Sequence, residues 1–114
     1  MVGSGDHLEV RVAHRPDHVE LRLVGELTLA TAERLADRLD DVERSAPPLV
    51  AIDLRAVRFI DSNGLAQLVG AHRRSRERRG RLLLVTAPGP VERLLALTRL
   101  DREFETATEP PSAP

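Results

Sequence analysis

Four consecutive residues, Asp61-Ser62-Asn63-Gly64, place a carboxylate, a hydroxyl, an amide and a glycine where the apolar run ending in Phe59-Ile60 meets a helical pattern. Two kinds of chemistry fit that spacing. Asp61 or Ser62 could cap the helix by accepting an orphan backbone N–H, which stabilises a helix by about 1 kcal/mol. Alternatively, Ser62 could be a hydroxyl that another protein modifies. Nucleophilic catalysis fits poorly. A serine on a strand-to-helix elbow reads Gly-x-Ser-x-Gly, and here Gly64 fills the second glycine position while Ile60 fills the first. His72 lies ten residues along the helical pattern, roughly 15 Å away at 1.5 Å per residue. That is far beyond hydrogen-bond reach.

Other reactive side chains are scattered. His14 and His18 are four apart, but Pro16 between them argues for a turn rather than a helical pair of metal ligands. Cysteine is absent, which excludes disulfides, thiolate metal sites and thiol nucleophiles. Glycine patterns for phosphate loops or dinucleotides are missing, so no cofactor is expected. Arg73, Arg74, Arg76, Arg78, Arg79 and Arg81 form a basic cluster at a helix C-terminus, where cations are favourable without any ligand. The net charge of −1 gives no general attraction to nucleic acid or anionic membrane. Phe59 and Phe104 are the only aromatics, too few for base-stacking platforms.

These groups need a scaffold. A chain of 114 residues is expected to form one domain with one modest core. "HLEVRVAH" and "VELRLVGEL" alternate apolar and polar residues around the turn "RPDH", predicting an antiparallel hairpin. "TAERLADRLDDVER" changes to helical period, with Ala32, Leu35, Leu39 and Val42 on one stripe, Thr31 as N-cap and "SAPP" as terminator. "LVAIDL" predicts a short strand leading through "RAVRFI" to Asp61. The next helix presents Leu65, Leu68, Val69 and His72 on one face and ends before Gly80. "RLLLVTA" predicts a central strand covered on both sides or along most of its length. Pro90 opens a third helix with Val91, Leu94, Leu95 and Thr98 inward, and "EFETAT" adds a last strand. Residues 1–6 are expected to be flexible, 7–107 to form the domain, and 108–114, poor in apolar residues, to be disordered. The expected fold is α/β: a mixed sheet of four to five strands with helices packed mainly on one face. No signal-peptide pattern and no run of about 20 apolar residues is present. A cytoplasmic monomer is expected.

The stretches "VGELTLATAERL", "AIDLRAVRFIDSNGLAQLV" and "APGPVERLLALTRLD" resemble the STAS domain, above all that of bacterial anti-sigma factor antagonists. The resemblance covers roughly residues 8 to 107. It implies that Ser62 is phosphorylated by an anti-sigma factor with serine kinase activity and restored by a dedicated metal-dependent serine phosphatase. It further implies that the unphosphorylated form binds the anti-sigma factor and frees a sigma factor, with no catalysis by this chain itself. The implied contact surface comprises Asp61, Ser62, Asn63, Gly64 and Leu65, with Glu26, Thr28 and Thr31 beside them. Asn63 stands where the family usually carries Ser or Thr, Thr28 replaces the Asp of "GELD", and Arg99 replaces the Gly of "TGLD". A second reading of the same resemblance is a STAS module in a larger signalling scaffold or a lipid-transport ATPase complex.

Overall fold

The computed structural model describes residues 7–113; the segment 1–6, expected to be flexible, and Pro114 lie outside the described residues. Strands β1 (Leu8–His14) and β2 (Val19–Leu27) form the expected antiparallel hairpin, in register from Leu8 opposite Gly25 to His14 opposite Val19. Helix α1 (Ala32–Glu43) follows, then β3 (Leu49–Ile60), α2 (Ser62–Glu77), β4 (Arg81–Val85), α3 (Pro90–Leu97), a 3₁₀ turn (Leu100–Arg102) and β5 (Glu105–Ala107). The sheet order is β1-β2-β3-β4-β5, and every pair after the hairpin is parallel.

This topology explains why the helices share a face. Each crossover from β2 onward steps to the next strand in the same direction, and parallel crossovers are right-handed. Equal steps of equal hand put every helix on the same side. One continuous core joins Leu35 and Leu39 of α1, Leu68 of α2 and Leu95 of α3 to Leu21, Leu23, Ile52 and Leu84 of the sheet. Among the described residues the opposite face carries a small apolar group, Ala51, Leu83 and Val85, with Leu49 and Ala107 beside it. Leu82 and Leu84 therefore point toward the helices while Leu83 and Val85 point away, so β4 is buried on both sides as its unbroken apolar run predicts.

Several local expectations shift. The segments read as "LVAIDL" and "RAVRFI" form one strand of 12 residues. Its inward residues are Val50, Ile52, Leu54, Val57 and Ile60, spaced two, two, three and three apart. The register with β2 slips between Arg22 and Val24 and again between Gly25 and Glu26, each slip adding a residue on β3. Two bulges thus break the alternation that marks a regular strand. In α2 the buried stripe runs through Leu65, Leu68, Ala71 and Ser75, leaving Val69 and His72 half-buried at its edge. Thr98, expected inward, is exposed beyond the end of α3 and donates to the carbonyl of Leu94. Among the described residues no helix is long and apolar enough to cross a membrane.

Candidate functional site

The carboxyl ends of β2 and β3 meet the start of α2, and Asp61 joins them. Its Oδ1 accepts from the backbone N–H groups of Asn63 (2.9 Å) and Gly64 (3.0 Å), which makes it the N-cap of α2. Its Oδ2 accepts from the N–H of Leu29 at 3.1 Å, across 32 residues of sequence. Its own N–H donates to the carbonyl of Leu27. Partial burial pushes the Asp61 carboxyl upward, but the donors from Gly64, Leu29 and Asn63 outweigh it and hold the group below its usual range. Of the two capping candidates, Asp61 fills the role.

Ser62 is therefore free of structural duty. It is the first residue of α2, and its side chain is exposed. Asn63 is exposed beside it, whereas Gly64 and Leu65 are buried. Gly64 is needed for close approach: a Cβ there would sit 2.3 Å from the carbonyl oxygen of Leu27 and 2.7 Å from the Leu27 side chain. The missing side chain lets the first turn of α2 rest directly on the end of β2.

The loop from Thr28 to Thr31 is built from inside. The Thr31 hydroxyl is fully buried, donating to the carbonyl of Glu26 (2.7 Å) and accepting from the N–H of Thr28 (3.0 Å). Thr31 occupies the N-cap position of α1, but its side chain makes no cap bond; it braces the loop instead. Thr28 is half-buried, and its carbonyl accepts from the N–H of Ala32 at 2.7 Å. Glu26 is buried and pairs with Arg58 of β3, leaving its other carboxylate oxygen buried and without a partner. Of the eight residues singled out for the contact surface, Ser62 and Asn63 are exposed, Asp61 and Thr28 are half-buried, and the other four lie inside.

Two apolar residues near Asp61 escaped the sequence reading. Leu29, whose N–H is the third Asp61 donor, is 73% exposed, and Phe59, two residues before Asp61, is 53% exposed. A Leu in a loop and a Phe in a strand look like core residues on pattern alone. The bulges that turn Phe59 outward carry no strong signature in the sequence.

The remaining candidates lie elsewhere. The His72 ring packs against Phe104 with centroids 5.1 Å apart, at the far end of α2 from Ser62. His18 sits before the first residue of β2, while Ser62 lies beyond its last, roughly 26 Å away by strand rise. Both ring nitrogens of His18 are taken, at 2.7 Å each, by Asp17 and Glu20. Within the basic cluster, Arg74 pairs with Glu43 (2.7 Å), Arg78 approaches the same carboxylate (3.8 Å), and Arg81 pairs with Glu105. Half of that cluster thus serves the fold. Among the described residues no group of three or more His, Cys, Asp or Glu could hold a metal ion.

Comparisons with known proteins bear on the family and the fold. The STAS domain model matches residues 9–113. The anti-sigma-B factor antagonist of Listeria monocytogenes is 31% identical over 89 residues, covering 78% of each chain. The crystal structure of an anti-sigma factor antagonist from Mycobacterium paratuberculosis superposes with a TM-score of 0.85 at 26% identity, covering 95% of this chain and 92% of that one. The Bacillus cell fate determinant SpoIIAA in its phosphorylated form shares the fold, with a TM-score of 0.66 at 24% identity over 90% of this chain and 93% of that one. A five-stranded mixed sheet with three helices on one face, an exposed serine beside the Asp61 cap at the mouth of α2, and these likenesses lead to one assignment: the chain belongs to the STAS domain family, among the anti-sigma factor antagonists.

Proposed function

We propose that this chain is a phosphorylation-controlled binding module: with Ser62 unmodified it binds an anti-sigma factor and frees a sigma factor, and phosphate on Ser62 ends that binding. The partner acts as the serine kinase, and a separate serine phosphatase resets the cycle. The observation that carries this reading is the division of labour between neighbours. Asp61 spends its carboxylate on three backbone donors, so the helix start is satisfied without the exposed Ser62 hydroxyl. That hydroxyl can change chemically while the cap stays intact. The relatives named as anti-sigma factor antagonists supply the partner class.

The electrostatics support a switch of binding rather than of folding. A phosphate adds about −1.5 to −2 charges and three acceptor oxygens. The N-terminus of α2 favours negative charge, but Asp61 already occupies the Asn63 and Gly64 donors. The added charge therefore projects outward. Against one facing carboxylate at about 6 Å and an effective dielectric of about 20, the Coulomb repulsion is about 4–5 kcal/mol before screening. Half of that lowers affinity more than about tenfold. Leu29 and Phe59 provide exposed apolar contacts for the partner, and buried Glu26, Thr31, Gly64 and Leu65 set the shape of the surface from beneath.

The direct test is to incubate the protein with its anti-sigma factor and ATP, then map the mass shift. One phosphate at Ser62, absent from Ser62→Ala, is the expected result. A shift of the same size in Ser62→Ala would place the modification elsewhere and overturn the reading.

A further inference from the structure

The sheet face without helices is not bare. Val85 is completely buried there, Ala51 is 1% exposed and Leu83 8%, although α1, α2 and α3 all pack on the other side. Leu49 and Ala107 pack against these residues, and the segment after β5 runs on along the same face. β5 ends at Ala107, whose carbonyl accepts from the N–H of Thr86. From there the chain returns across the sheet. Glu109 lies close enough to Arg55 of β3 to interact with its charge. Pro110 lines a cavity with Arg22, Asp53 and Arg55. Ser112 reaches β2, where its N–H and its hydroxyl donate to the two carboxylate oxygens of Glu20 at 3.1 and 2.9 Å, across 92 residues of sequence. Glu20 stands opposite Ala51, Ala51 opposite Leu83, and Leu83 opposite Glu105. Three strand spacings are about 14 Å, and five residues extend to about 17 Å, so the crossing is nearly taut.

We infer that residues 108–113 are a displaceable strap over the open face of the sheet, latched by Ser112 on Glu20. The latch is a built one. Glu20 is half-buried, and its Oε2 is also held by His18 Nε2 at 2.7 Å, so the carboxylate is oriented before Ser112 arrives. The strap itself has little else to hold it: it contributes no large apolar side chain, and Thr108, Glu109 and Ser112 are exposed. A segment hydrogen-bonded to the sheet at one carboxylate, with Glu109 held to Arg55 by charge, opens as a unit when that hydrogen-bonded tie is lost. Opening bares Leu83 and Val85 on a face distinct from the Ser62 surface, so the inference stands or falls independently of the phosphorylation cycle.

The test uses the full chain and side-chain methyl relaxation with a soluble gadolinium chelate, which reports exposure. In Ser112→Asp a second carboxylate faces Glu20. The Val85 and Leu83 methyl groups should then relax at least twofold faster than in the unaltered protein, while Leu39 in the helix-side core stays unchanged. In Glu20→Ala the Ser112 amide should exchange at least threefold faster. Should Glu20→Ala expose Leu39 as well, the domain itself has loosened and Ser112→Asp decides. Unchanged Val85 and Leu83 relaxation in a folded Ser112→Asp chain would overturn the strap, and unchanged Ser112 exchange in a folded Glu20→Ala chain would overturn the latch.

Discussion

Asp61 holds three backbone N–H groups with one carboxylate, two at the start of α2 and one in the β2–α1 loop. Removing it leaves all three without that acceptor, so Asp61→Ala is expected to cost about 2 kcal/mol, the upper end for an N-cap. Because its folded pKa is depressed, this stabilisation is full above the unfolded carboxyl value of about 3.9 and is lost as pH falls through the folded value. Urea denaturation at neutral pH and below pH about 4 should show the gap between the two proteins narrowing in acid. His18 runs the other way. Its hydrogen bonds to Glu20 and then Asp17 raise its pKa against the effect of burial. Its contribution is full below about pH 6.5 and fades as pH rises through the raised value. The melting temperature should therefore fall as pH rises above about 6.5, and His18→Gln should flatten that slope. An equal slope in both proteins would remove His18 from the account. At this scale the sequence was only partly legible. The capping pair and its exposed serine are written in adjacent residues, whereas the bond from Leu29 to Asp61 spans 32 positions and leaves no local pattern.

The start of α2 rests on the end of β2 with no room for a methyl group. Gly64→Ala would bring a Cβ to 2.3 Å from a backbone carbonyl, and backbone cannot yield as a flexible side chain can. A loss of about 3 kcal/mol is expected, which for a domain of this size lowers the melting temperature by more than about 10 °C. A thermal scan checks it, and a shift under about 2 °C would mean that α2 re-seats freely. Elements were most legible where one period held throughout. The stripe of Ala32, Leu35, Leu39 and Val42 buries as spaced, and the unbroken run of β4 is covered on both sides. β3 was legible only in its first half. Its bulges change the inward spacing from two to three, and a reader seeking alternation stops at Leu54. Thr31 sits where an N-cap was expected, yet bonds to the Glu26 carbonyl at the end of β2 and the Thr28 N–H in the following loop claimed its hydroxyl.

Chain order and sheet order coincide, so the loops after β2 and β3 lie side by side at one end of the sheet. That arrangement brings Leu29, Phe59 and Ser62 to the end of the molecule where the strands β2 and β3 finish, with buried Glu26 beneath, paired to the exposed Arg58. The surface is apolar at its anchors and carries a hydroxyl at the helix mouth, which suits a partner whose docking one added charge can prevent. The measurement that bears most directly on this is the affinity of the anti-sigma factor for Ser62→Ala and Ser62→Asp, compared by calorimetric titration alongside the melting temperature of each. Ser62→Asp should bind at least tenfold more weakly while melting within a few degrees of Ser62→Ala. Equal affinities, or a weakening that merely tracks an unfolded fraction, would contradict control of docking by charge at this position.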